Sequence, residues 1–237
     1  MGTGVTLDGR IHTERDWGLK LISIYLPMPS PKTQTIDIPG GDGSIDLSEI
    51  NGRPTYKDRE GVQLVFDLLD GDYTTWLMKY SEFAAEVHGR TIKMVLDDEP
   101  EHYYMVRLEL NSEKTNPIYS KITLSGSAEP FKYDLLSSGE PWLWDIFNFQ
   151  TGVIRTLMDV EITSTDRTVT ILGAGIDNPP VFVVTEANNL QLIHGGRTYT
   201  LKVGRNRFPA VRVGKEDVTL TFSGTGKLSI EYRGRYL

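Results

Sequence analysis

The chain has 237 residues, no cysteine and a net charge of −7 from 25 basic and 32 acidic residues. Hydrophobic residues make up 39%, enough to build a core, so wholesale disorder is excluded. The lack of cysteine excludes disulfides, thiolate metal centres and cysteine nucleophiles.

No apolar run reaches the ~20 residues of a membrane helix. The opening Met1-Gly2-Thr3-Gly4 lacks the basic and apolar regions of a secretory signal. The expectation is a soluble chain folded in a cytoplasm.

Taken in chain order, Leu19 to Leu26 shows a slightly broken apolar alternation and reads as a strand, ended by Pro27, Pro29 and Pro31. Residues 32 to 48 read as a hairpin-like arm. Thr33 to Ile38 and Ser44 to Leu47 alternate, and the turn cluster Pro39-Gly40-Gly41-Asp42-Gly43 joins them. Val62 to Leu68 is another strand. Trp76, Tyr80, Phe83, Ala84 and Val87 form one stripe of an amphipathic helix at about residues 73 to 88, with Gly89 as its left-handed cap. Strands follow at Ile92 to Asp97, Tyr103 to Leu110 and Ile118 to Ser127.

Ser137-Ser138-Gly139-Glu140-Pro141 reads as a junction. This places the domains at 1–135 and 136–237. The second part reads as short strands at 153–158, 159–163, 169–172, 181–185, 190–193, 198–203, 211–213, 218–222 and 228–232. Turn signals such as Gly195-Gly196 and Gly224-Thr225-Gly226 separate them, a pattern that predicts a sandwich. Charge divides unevenly. Residues 1–135 hold 14 Lys and Arg against 22 Asp and Glu, whereas the remainder holds 11 against 10. An acidic first domain argues against nucleic-acid binding through it, because phosphate contacts need basic residues.

No motif for chemistry survives its own requirements. His12, His88, His102 and His194 lack metal-ligand spacing and read as surface or capping residues. Asp42, Ser44 and Asp46 open like a calcium loop, but Leu47 and Arg53 occupy the places of the required Gly and Glu, so a turn is the better reading. Gly173-Ala174-Gly175 follows a strand, yet Asn178-Pro179-Pro180 follows where a helix must hold a pyrophosphate. A sugar-binding module remains the alternative, with Tyr199, Phe208, Tyr232 and Tyr236 as possible platforms. Trp17, Trp76, Trp142 and Trp144 all precede the second domain's strands. Strand tyrosines are more often packing residues. The sequence therefore predicts no catalytic, cofactor or metal residue and no enzyme.

The order of the elements carries a resemblance. Ile38-Pro39-Gly40-Gly41-Asp42-Gly43-Ser44-Ile45-Asp46-Leu47-Ser48 is followed by Tyr56-Lys57-Asp58-Arg59 and the strand at 62–66. Then come the Trp76 helix ending in His88-Gly89-Arg90 and the strand from Tyr103 to Leu110. This resembles the N-terminal domain of the distal tail protein (Dit) family of long-tailed, non-contractile bacteriophages. The run from Gly224-Thr225-Gly226 to Ile230-Glu231-Tyr232-Arg233-Gly234 resembles the C-terminal end of that family.

The resemblance implies a mainly β fold. The N-terminal domain is expected to be β-sandwich-like, with one α-helix and a hairpin arm, and to assemble into a hexameric ring. The C-terminal domain is expected to be a galectin-like β-sandwich on the periphery. The implied partners are the tail-tube protein on one face and the tail-associated central-spike protein on the other, with tape-measure and receptor-binding proteins as further neighbours. DNA would pass through the lumen without specific binding. The implied place is the tip of a virion tail, assembled in the host cytoplasm. A ring closes through heterologous contacts, so each subunit needs two different patches. The arm is expected to be one of them, adding its edge to a neighbour's sheet.

Overall fold

The computed structural model describes residues 4–68, 73–111, 121–140, 157–163 and 167–237. The chain is mainly β and divides into two compact units. Unit 1 comprises Met1–Glu99, Tyr103–Lys132 and Leu237; unit 2 comprises Pro100–His102 and Tyr133–Tyr236.

Unit 1 is built on a curled antiparallel sheet. Its strands are β1 (Val5–Leu7), β2 (Ile11–His12), β3 (Leu19–Tyr25), β6 (Arg59–Leu68), β7 (Thr91–Leu96), β8 (His102–Leu110) and β9 (Lys121–Asp134). They run in the order β2-β1-β7-β8-β9-β6-β3, so β3 closes one end of the path. A separate two-stranded ribbon, β4 (Thr35–Asp37) with β5 (Ser44–Asp46), lies between β3 and β6 in sequence. This is the arm the alternation predicted. Of the strand expected at Ile118 to Ser127, Ile118 to Ser120 fall outside the described residues, and β9 runs from Lys121 on to Asp134.

Helix α2 (Tyr73–Val87) realises the predicted stripe. Phe83 and Val87 are buried, with Leu77, Tyr80 and Ala84 half-buried against the same core; the side chain of Trp76 lies outside the described residues. Phe83 meets the ring of Trp17 edge-on at 4.8 Å and that of Phe66 at 6.0 Å. Burying a side chain of that size contributes about 2–3 kcal/mol, more than any propensity term in the helix. Gly89 ends the helix at φ +71°, and its N–H donates to the carbonyl of Leu108. A second helix, the single turn α1 (Thr13–Trp17), was not expected. His12 caps it, its Nδ1 accepting from the N–H of Arg15, and the N–H of Gly18 closes it on Glu14.

Unit 2 holds β10 (Val160–Ile162), β11 (Arg167–Ile171), β12 (Val181–His194), β13 (Arg197–Thr200), β14 (Gly204–Arg207), β15 (Val218–Glu231) and β16 (Arg235–Tyr236). The long strands β12 and β15 pair with each other. Short strands flank them, β13 and β14 along β12, and β10 and β11 along β15. Phe182, Leu192, Phe222, Ile230 and Tyr232 fill the core.

The strands expected at 181–185 and 190–193 are one strand, β12, whose register shifts between Val184 and Glu186 and again between Asn188 and Gln191. The strands expected at 218–222 and 228–232 are likewise one, β15, so Gly224-Thr225-Gly226 is no turn. Those glycines lie opposite the irregular stretch of β12. A Cβ on Gly224 or Gly226 would come within 2.3 Å of the Asn189 carbonyl oxygen or 2.2 Å of that of Glu186. Gly224, at φ +86°, also has a backbone that disfavours other residues. Here glycine marks a close backbone approach at a bulge. The strand expected at 198–203 ends at Thr200 as β13, and β14 follows where no strand was expected. Val211 and Val213 are buried without belonging to a strand. Of the strand expected at 153–158, residues 153–156 lie outside the described residues, and Leu157 and Met158 are not in a strand.

Candidate assembly surface

The arm is a 33-residue excursion, residues 26–58, between β3 and β6. Its stem is a narrow ladder. Lys32 N–H donates to the carbonyl of Thr55 (2.7 Å), Lys57 N–H to that of Ser30 (2.8 Å), and Pro31 bridges Tyr56. Above it Thr35 faces Asp46, Ile36 faces Ile45 and Asp37 faces Ser44. Period-two alternation puts the isoleucines on one face of the ribbon and Asp37 and Asp46 on the other.

Every residue from Ser30 to Asp46 is exposed. Ile36 and Ile45 are 52% and 55% exposed as a facing pair. A two-stranded ribbon with no buried face is at best marginal in isolation. The edge strand β3 also exposes apolar side chains, Ile22, Ile24, Tyr25 and, just beyond it, Met28. Its pairing with β6 skips Ile22, which is bulged out of register between Leu21 and Ser23.

The base of the arm is held by a buried cation. Arg59, 3% exposed, donates through Nη1 to the carbonyl of Pro27 (3.0 Å) and through Nε to that of Pro130 (3.2 Å). Its Nη2 has no partner among the described residues. Its guanidinium carbon sits 5.8 Å from the ring centroid of Tyr104, whose hydroxyl donates to Glu99 Oε2. Lys132 Nζ takes Glu99 Oε1 at 2.9 Å. Burial lowers the pKa of Arg59 and raises that of Tyr104, in each case chiefly by desolvation. Tyr56, on the arm's return, packs edge-on against Phe131 at 5.9 Å.

Unit 2 carries a polar cavity of about 280 Å³ lined by residues that include Glu140, Asn178, Arg207, Glu231 and Arg233. Its two carboxylates are occupied: Arg233 holds Glu140 at 3.0 Å and Arg205 holds Glu231 at 2.6 Å.

His12 Nε2 lies 3.1 Å from Asp97 Oδ1, and His88 Nδ1 accepts from the N–H of Leu110. Asp42, Ser44 and Asp46 belong to the arm's tip and β5, where Asp46 Oδ1 accepts from Ser48 N–H. Among the described residues no three metal-ligating groups converge. Gly173 N–H donates to Asp217 Oδ1 in a loop that leads to no helix. Tyr232 is core, its hydroxyl 3.2 Å from the carbonyls of both Ala174 and Val213. Tyr199 and Phe208 stack on each other at 4.7 Å, and Tyr236 meets His102 edge-on. Trp142 and Trp144 lie outside the described residues. The clamp at Arg59 escaped the sequence reading, because nothing in the motif Tyr56-Lys57-Asp58-Arg59 marks which cation is buried.

No family model matches the chain, and no curated protein matches it. Among solved structures it is similar to the crystal structure of Dit (gp 19.1) of phage SPP1, described as a paradigm of the hub adsorption apparatus in phages that infect Gram-positive bacteria. The likeness covers 100% of both chains with a TM-score of 0.60 at 15% sequence identity. The mainly β fold expected from the resemblance is the fold found.

Proposed function

We propose that the chain is a structural, non-catalytic component of a phage or prophage tail tip. In this reading it is the subunit of a hexameric ring that joins the tail tube to the tip of a long-tailed, non-contractile particle. The observation that carries this reading is the likeness to the SPP1 hub protein along the whole length of both chains. The solvent-exposed arm and the apolar edge of β3 support it, since they are two different surfaces that packing within the chain leaves open. A closed ring requires two such surfaces.

Unit 1 forms the ring and unit 2, the galectin-like domain, lies at its periphery. One face meets the tail-tube protein and the other the central-spike protein, with tape-measure and receptor-binding proteins as further neighbours. The excess of acidic residues in the first 135 disfavours adhesion of DNA passing through the bore. The protein's place is then the virion tail tip.

Native mass spectrometry with negative-stain imaging of the same sample tests this. A sixfold ring with a central hole is expected, and removal of residues 40–46 is expected to leave a folded monomer. A chain that stays monomeric alone and with its tail-tube and spike neighbours would falsify the reading.

A further inference from the structure

The outer part of the arm is acidic, while the basic residues Lys32, Arg53 and Lys57 lie toward its stem. Between Thr33 and Ile50 it carries Asp37, Asp42, Asp46 and Glu49 and no basic residue. Unit 2 contains its counterpart. From Gln191 to Lys215 the chain carries six basic residues and no acidic one. All six are exposed. The stretch includes β13 and β14, which lie on the same edge of β12.

Part of this strip is rigidly built. Asn206 Oδ1 accepts from Lys202 N–H, and its Nδ2 donates to the carbonyls of Lys202 and Gly204. This fixes the connection between β13 and β14, with Lys202 and the 66%-exposed Val203 on it. Arg205 is neutralised by Glu231, whereas Lys202 and Arg207 have no acidic partner among the described residues. An acidic, isoleucine-bearing ribbon and a basic strip with an exposed valine are complementary in both charge and polarity.

Resting on the ring reading above, we infer that the arm of one subunit docks on the Gln191–Lys215 strip of a neighbouring copy. The arm's exposure in the single chain accords with this. Contact between exposed charges is screened by salt, so the association weakens as ionic strength rises.

The cysteine-free chain permits a direct test. Asp42→Cys is placed in one preparation and Lys202→Cys in another of different tag mass, and the two are mixed and oxidised. A mixed disulfide between the two masses is expected. Separately, Asp37→Lys with Asp42→Lys, and Lys202→Glu with Arg207→Glu, should each weaken association at least tenfold, and mixing the two reversed chains should restore it. An oligomer that forms without the mixed disulfide and without response to either reversal overturns the docking surface but leaves the ring. A chain that neither assembles nor cross-links overturns both. All the substituted side chains are exposed, and circular dichroism checks that each variant is folded.

Discussion

Arg59 Nη1 lies 3.0 Å from the carbonyl oxygen of Pro27, so a side chain at one end of the arm grips the backbone at the other. The same guanidinium reaches Pro130 on β9 through Nε. The arm is exposed along its length but anchored in the core at its root.

Replacing this anchor should loosen the arm and cost stability. Arg59→Met keeps most of the volume but leaves two carbonyls short of a donor, at about 1–3 kcal/mol for each that stays buried. Relief of the buried charge offsets part of that, since desolvation already lowers the arginine's pKa. A net loss of about 2 kcal/mol in urea unfolding is expected, with faster proteolysis between Ser30 and Asp46.

The isoleucine pair of the arm should behave in the opposite way. Ile36→Ser with Ile45→Ser changes side chains that are already in water, so monomer stability should move by no more than about 0.5 kcal/mol. Assembly should be lost all the same. Thermal unfolding and sedimentation velocity on the same samples separate the two effects.

Acid should act on the first helix. Asp16 is held at about 2, below its ordinary 3.8, first by the hydrogen bonds from Arg15 and then by that from the N–H of His12. A folded-state pKa below the unfolded one contributes stability that is complete above 3.8 and is lost as pH falls towards 2. Asp16→Asn should therefore melt below the parent at pH 6, and the two should converge near pH 2. The group is exposed, so the difference at pH 6 is small. Carbon-detected NMR titration of the carboxyl checks the pKa itself.

Gly226→Ala should damage unit 2 far more than a surface glycine would. The new methyl group meets the Glu186 carbonyl oxygen at 2.2 Å, and neither backbone can yield without breaking the β12–β15 register. A loss of about 2–3 kcal/mol is expected, in line with overpacking of a close contact. Gly9→Ala, at φ +66° with nothing within 4 Å, reports by contrast the cost of backbone conformation without a clash.

The arm, β6 and α2 were legible in the sequence because each obeys one period over enough residues, with a proline–glycine turn inside the arm and Gly89 after α2 as punctuation. The pairing of β12 with β15 was not. Gly224-Thr225-Gly226 is written like a hairpin turn, and only the bulged partner strand reveals that its glycines serve contact. Helix α1 escaped for a different reason. A single turn has no periodicity, and its cap is a histidine rather than the usual Ser, Thr or Asp. The basic strip was hidden by averaging: the second domain is nearly neutral in total, while its charges segregate along the chain. No local signal states that Arg59 is buried, because burial depends on Pro27, Tyr104 and Pro130 arriving from three other segments.

The bulge at Ile22 bears on how large an assembly can grow. An unbroken edge strand templates the next strand, and that one the next, which is the geometry of fibrils. In β3 the ladder is interrupted mid-strand, so its outer edge offers incoming backbone no continuous row of donors and acceptors. Whatever joins this edge must do so through side chains, whose shapes fix one orientation. That favours a self-limiting assembly with a defined number of members over open-ended polymerisation.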